Sequence, residues 1–109
     1  MKLFLAIVLM ILAAAAIRGA GKGDVQAGKA VFTASCKTCH GVQGEGNPAI
    51  AKALKVAIPP LGSKEVQSKS DEELKKTISE GTGKMKPVQG LSGKQVENVI
   101  TFVRSLAKS

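Results

Sequence analysis

An all-α fold is predicted for this chain. Apolar residues recur at helical spacing in several segments, strand-like alternation is absent, and glycine- and proline-rich runs separate the segments. Its 109 residues fit one domain.

The first 20 residues do not read as part of that domain. Lys2 is followed by an uncharged run of 15 residues, Leu3 to Ile17, and then by Arg18-Gly19-Ala20. A basic start, an apolar stretch and small residues are the order of a secretory signal. The run is shorter than the roughly 20 residues a bilayer-spanning helix needs. Residues 1–20 are therefore expected to be a signal peptide cleaved after Ala16 or Ala20, and residues 21–109 the domain. A retained N-terminal anchor is the weaker alternative. Export would place the protein in the oxidising periplasm. Loss of Lys2 and Arg18 lowers the formal net charge from +8 to +6.

The remaining 89 residues contain Phe32 and Phe102 but no Trp or Tyr. A domain this small, with so few aromatics, needs a cofactor, a metal or a disulfide to complete its core. Asp24 is a good N-cap, and a helix is expected from there through Gly28, Val31 and Phe32 towards Cys36. Gly41 to Pro48 reads as loop. Ile50 to Ile58 is apolar enough for a short helix, ended by Pro59-Pro60. Ser70 and Glu73 form a capping-box pattern opening a helix that Gly81 ends. Gly81 to Gly90 is a second glycine-proline loop. Ser92 and Gln95 repeat the capping box, flanked by Leu91 and Val96 as a hydrophobic staple. Val96, Val99, Ile100, Val103 and Leu106 then give the clearest amphipathic helix, with Phe102 beside them.

Cys36-Lys37-Thr38-Cys39-His40 is a C-x-x-C-H motif. Residues three apart on a helical turn share a side. Two thiols so placed can form thioethers to the two vinyl groups of one haem, and the adjacent imidazole can bind its iron. Other readings exist. A bare C-x-x-C can be a disulfide or a thioredoxin-like redox pair, although the latter belongs with a β-α-β pattern. Closed zinc sites want four ligands, and Cys36, Cys39 and His40 supply three. Covalent haem c, with its iron, is the favoured cofactor. His40 is the only histidine, which excludes a second histidine ligand from the same chain. Met1 and Met10 fall in the signal, which leaves Met85 as the candidate sixth ligand. It lies in Gly83-Lys84-Met85-Lys86-Pro87, a poor setting for a core residue and a good one for a ligand arm. Thioether ligation raises the reduction potential.

With these residues in place, residues 24 to 107 resemble a class I c-type cytochrome of the short bacterial single-haem type. The C-x-x-C-H motif, the Glu80 to Pro87 segment (E-G-x-G-x-M-x-P) and the final helix carry the resemblance. It implies the cytochrome c fold, three to four helices around one covalent haem, with the N- and C-terminal helices crossing. Gly28 and Phe32 match the crossing on the first helix, and Val99 and Phe102 match it on the last. It further implies a proline carbonyl accepting a hydrogen bond from the ligand histidine. Pro48, Pro59 and Pro60 are the candidates, with Pro48 slightly preferred. It also implies that Lys84 or Lys86 can displace Met85 at high pH.

The expected function is electron transfer between exported redox partners, the iron cycling between Fe(III) and Fe(II), without catalysis. A haem enzyme or gas sensor with an open iron position is the main alternative. A non-haem protein built on a Cys36–Cys39 disulfide is a third. Lys37, Lys84 and Lys86 suit partners with acidic docking surfaces, and brief contact with a membrane complex is compatible with this. No small-molecule substrate is expected. Nucleic acid is not expected either, because no aromatic platform accompanies the charge. A monomer is expected.

Overall fold

The computed structural model describes residues 22–108. The expected signal peptide and both candidate cleavage sites lie outside the described residues. Within these, six helices follow one another: α1 Val25–Ser35, α2 Lys37–His40, α3 Pro48–Leu54, α4 Lys64–Gln67, α5 Asp71–Glu80 and α6 Gly93–Ser105. Among the described residues, strand pairing is limited to the isolated bridge between Thr82 and Met85. No helix among them is long and apolar enough to cross a membrane.

The first and last helices cross, and a single glycine sets how closely. A Cβ on Gly28 would overlap the Asn98 carbonyl oxygen and lie 2.5 Å from its carbon. Only a residue without a side chain lets the two backbones meet there. One turn further, Phe32 and Phe102 pack with ring centroids 5.0 Å apart and planes inclined by 52°. Such a pair contributes about 0.5–1.5 kcal/mol beyond its area burial. Two buried polar residues of α6 lock the start of α1. Asn98 Oδ1 accepts from the Asp24 amide at 2.9 Å, and Thr101 Oγ1 accepts from the Gly23 amide at 2.8 Å. Asp24 in turn caps α1 by accepting from the Ala27 amide.

Behind the crossing, Val99, Ile100 and Val103 of α6 close a core with Val66 of α4 and Leu74 of α5. Of the four crossing residues expected from the sequence, Gly28, Phe32 and Phe102 meet at the contact. Val99, 2 % exposed, belongs to this second core. Arg104 ties the α4–α5 connection to α6. It donates to the Gln67 and Lys69 carbonyls at 2.9 and 2.7 Å and to the Asp71 carboxylate at 2.8 Å.

Three local features depart from the sequence reading. Pro48 opens α3 instead of closing the preceding loop, because Asn47 caps the helix and proline at the first helical position suits its fixed φ. That helix ends at Lys55, a left-handed residue at φ 57° and ψ 45°, well before Pro59. The short helix α4, capped by Ser63, was not foreseen. The two capping boxes also differ. Ser92 and Gln95 complete theirs reciprocally. Ser70 caps α5, but the Glu73 carboxylate takes the Ser70 hydroxyl, not its amide.

Candidate functional site

Cys36 ends α1 and begins α2. Its amide still donates to the Phe32 carbonyl at 2.8 Å, and its carbonyl accepts from the His40 amide at 3.0 Å. Helical hydrogen bonding therefore continues through a residue whose own angles, φ −123° and ψ −27°, break the axis. This kink separates the packing helix α1 from the one-turn helix α2 that carries the second cysteine and the histidine. Both thiols are free, Cys36 half-buried and Cys39 exposed. Burial, and secondarily the neighbouring Cys39, push the Cys36 thiol up from 9.0 to about 11.

His40 is half-buried, with its ring 6.5 Å from that of Phe32. Burial lowers its pKa from the ordinary 6.5. The imidazole is therefore neutral at neutral pH, the form that ligates a metal. Its Nδ1 is buried and has no hydrogen-bond partner. The expected proline-carbonyl contact is thus not made by Pro48, Pro59 or Pro60. Pro48 is committed to the first turn of α3, where its carbonyl serves the helix.

Met85 stands on a separate element. Thr82 and Met85 exchange both backbone hydrogen bonds, at 3.0 and 2.8 Å, and so close a tight turn over Gly83 and Lys84. Gly81 makes the turn possible. Its φ is 76°, and a Cβ there would lie 2.5 Å from the Met85 carbonyl oxygen. The Val88 amide donates to the Ile78 carbonyl at 2.8 Å and fastens the loop to α5. Met85 is half-buried, while Lys84 and Lys86 on either side are exposed.

The structure thus brings Cys36, Cys39 and His40 together on one turn and holds Met85 on its own hydrogen-bonded hairpin. Among the described residues no three His, Cys, Asp or Glu side chains converge on a metal-binding cluster. The donor set of a closed zinc site is therefore not assembled. Two thiols and a neutral imidazole with an unpartnered buried nitrogen do suit covalent haem. A shallow polar crevice lined by Lys22, Asp71, Glu97 and Thr101 lies at the far end of α1, where Thr101 meets Gly23. It has no part in this chemistry.

Sequence reasoning missed Asn47, which links α2 to α3, and Glu45, whose carboxylate accepts from the Gln43 amide at 3.1 Å and folds over Gly41 beside His40. The Asn-Pro pair was a readable helix-start signal. Nothing local announces Glu45.

Residues 23–103 match the family described as cytochrome C oxidase, cbb3-type, subunit III. Among solved structures, the chain is 31 % identical to KustC0563, a c-type cytochrome, with a TM-score of 0.64, covering 74 % of this chain and 98 % of that one. A point variant of the same cytochrome is 32 % identical at a TM-score of 0.61, covering 72 % and 96 %. No curated protein matches the chain.

Proposed function

The chain belongs to the family of cytochrome c oxidase, cbb3-type, subunit III, and so to the c-type cytochromes, and from that membership we propose a single-haem electron carrier with His40–Met85 ligation. The family carries covalently bound haem c and works in electron transfer. When bound, haem c supplies one-electron chemistry between Fe(III) and Fe(II).

Cys36 and Cys39 would hold the group through thioethers. Cys36 stands at the kink and Cys39 on the one-turn helix that follows it. His40, kept neutral by burial, would be one axial ligand and Met85 the other. The arrangement of Cys36, Cys39 and His40 on one helical turn carries this reading. The hairpin supports it further, because a methionine on a rigid turn keeps its place through both oxidation states.

An absorption spectrum of the purified holoprotein, oxidised and reduced, tests the ligation. The expected result is a low-spin haem with a methionine–iron band in the oxidised form that disappears in Met85→Ala. That variant should also lower the reduction potential, since the thioether favours reduced iron. A high-spin wild type, or rapid complete binding of carbon monoxide at neutral pH, would favour the enzyme or sensor reading. A purified mass without added haem, from a host able to attach it, would end the haem reading.

Export and partners belong to the same proposal. The chain would work in the periplasm after cleavage behind Ala16 or Ala20, and the mass of the purified protein distinguishes the two. Lys37, Lys84 and Lys86 are all exposed and belong to the two segments that carry the ligands. They would steer an acidic redox partner, so electron-transfer rates should fall with ionic strength as the Debye length shrinks to about 8 Å at physiological salt. Rates independent of salt would count against this docking mode.

A further inference from the structure

A helix leaves its last four carbonyls without helical partners, and α2 is so short that all its carbonyls are of this kind. Each nevertheless has a partner. The Lys37 carbonyl accepts from the Gly41 amide at 2.8 Å and the His40 carbonyl from the Gly46 amide at 2.6 Å. The other two are served by one residue. Asn47 donates its side-chain amide to the Thr38 carbonyl at 2.9 Å and its backbone amide to the Cys39 carbonyl at 3.0 Å. The same residue starts α3. Its Oδ1 accepts from the Ala49 and Ile50 amides at 3.1 and 3.4 Å, and its carbonyl accepts from the Ala51 amide at 3.0 Å.

These bonds fall where the direction of the His40 side chain is decided. Two peptide planes flank the His40 Cα. The Cys39–His40 plane is held through the Cys39 carbonyl by the Asn47 backbone amide, which the Asn47 carboxamide anchors through its bond to Thr38. The His40–Gly41 plane is held through the His40 carbonyl by the Gly46 amide. With both planes fixed, the Cα–Cβ direction of His40 is fixed as well. A carboxamide suits the task because it offers a donor and an acceptor on one short side chain. Aspartate lacks the donor, and the serine hydroxyl is too short to reach Thr38 while capping α3.

We propose that Asn47 is the positioning residue of His40, using its carboxamide to brace the C-x-x-C-H turn against α3. The proposal rests on the reading of His40 as an iron ligand. Holding the backbone on which a ligand is mounted acts as hydrogen bonding to the ligand itself does in metal sites, by fixing its orientation. The brace matters more here because His40 Nδ1 has no partner of its own.

The test uses the holoprotein and Asn47→Ser. Serine is as good an N-cap as asparagine and adds no charge, so α3 stays capped and only the bond to Thr38 is lost. Ser70→Ala serves as the control, because it removes the cap of α5, which belongs to a different part of the fold. In oxidised protein the hyperfine-shifted proton resonances of the His40 ring report imidazole orientation. Amide exchange at Gly46 and Asn47 reports the brace. In Asn47→Ser the ring resonances and the reduction potential should shift, and exchange at the two amides should quicken by several-fold to about tenfold, the equivalent of one hydrogen bond. Ser70→Ala should move none of these. Unchanged resonances and exchange in Asn47→Ser, or equal changes in Ser70→Ala, would overturn the inference. If Asn47→Ser yields no holoprotein, Asn47→Asp keeps both acceptor contacts of the cap and is judged by the same resonances and exchange. Absence of shifted His40 resonances in the wild type would instead refute the ligand assignment.

Discussion

Replacing Gly28 by alanine inserts one methyl group where α1 and α6 are closest. The new Cβ would lie 2.5 Å from the Asn98 carbonyl carbon and 3.0 Å from Phe102 Cβ. Ordinary carbon contacts lie near 3.5–4.0 Å, so the helices must part by about 1 Å. The Asn98 atoms are backbone, and no side-chain rotation relieves the overlap. Parting the helices stretches the Asp24–Asn98 bond from 2.9 Å and the Gly23–Thr101 bond from 2.8 Å, to or beyond the ~3.2 Å limit of a good hydrogen bond. Each such bond contributes about 1 kcal/mol. Overpacking at the crossing, which includes the Phe32–Phe102 pair, adds about 1–3 kcal/mol. Against this, alanine gains about 1 kcal/mol in helix propensity over glycine. The net loss should be about 2–4 kcal/mol. At about 4–8 °C per kcal/mol for a domain of this size, the thermal unfolding midpoint of the holoprotein followed by circular dichroism should drop by roughly 8–32 °C. Gly93→Ala is the control, since a Cβ there meets nothing within 4 Å. A Gly28→Ala protein as stable as the wild type would refute the claim that this glycine sets the crossing.

Other consequences can be measured separately. Lys55 occupies left-handed space at φ 57°, so Lys55→Gly should stabilise the protein by about 1 kcal/mol, read as a higher denaturant midpoint; a lower midpoint would contradict this. Arg104→Ala should cost about 2–4 kcal/mol, because the Gln67 and Lys69 carbonyls lose a charged donor. Arg104→Lys should recover only part of that loss, and full recovery in equilibrium denaturation would point to charge alone. In the haem-free chain near neutral pH, alkylation should reach exposed Cys39 well before Cys36, whose thiol is pushed up to about 11. Mass mapping should show the difference vanish in denaturant, and equal native rates would refute it. The same shift implies that stability of the haem-free chain falls as pH rises from 9.0 towards about 11, because the folded state then holds a proton the unfolded state has released. Thioether formation should abolish that slope.

Much of the fold was legible because its signals are local. Asp24, Ser70 and Ser92 announce helix starts through side chains that reach only a turn ahead, and all three cap as expected. The C-x-x-C-H motif is local as well, and five consecutive residues define its chemistry. Gly81 could be identified as a helix stop by residue type alone, and it adopts the positive φ that glycine permits. The Ser63 cap was overlooked because it opens only a single turn, too short for apolar periodicity to register.

The sequence by itself determined the helical class, the C-x-x-C-H motif and the presence of a single histidine, because composition and spacing along one chain suffice for each. Tertiary structure decided what depends on residues distant in sequence. Asn98 and Thr101 look like polar residues on an amphipathic helix, and only the crossing shows them bonded to Asp24 and Gly23, more than 70 positions away. Arg104 looks like a solvated helix end until it meets the carbonyls of the α4–α5 connection. Asn47 reads as part of a loop, and only the folded chain shows it capping α3 with one half of its carboxamide and bracing the turn bearing His40 with the other. A backbone carbonyl takes whichever donor the fold delivers to it, and no pattern along the chain encodes that meeting.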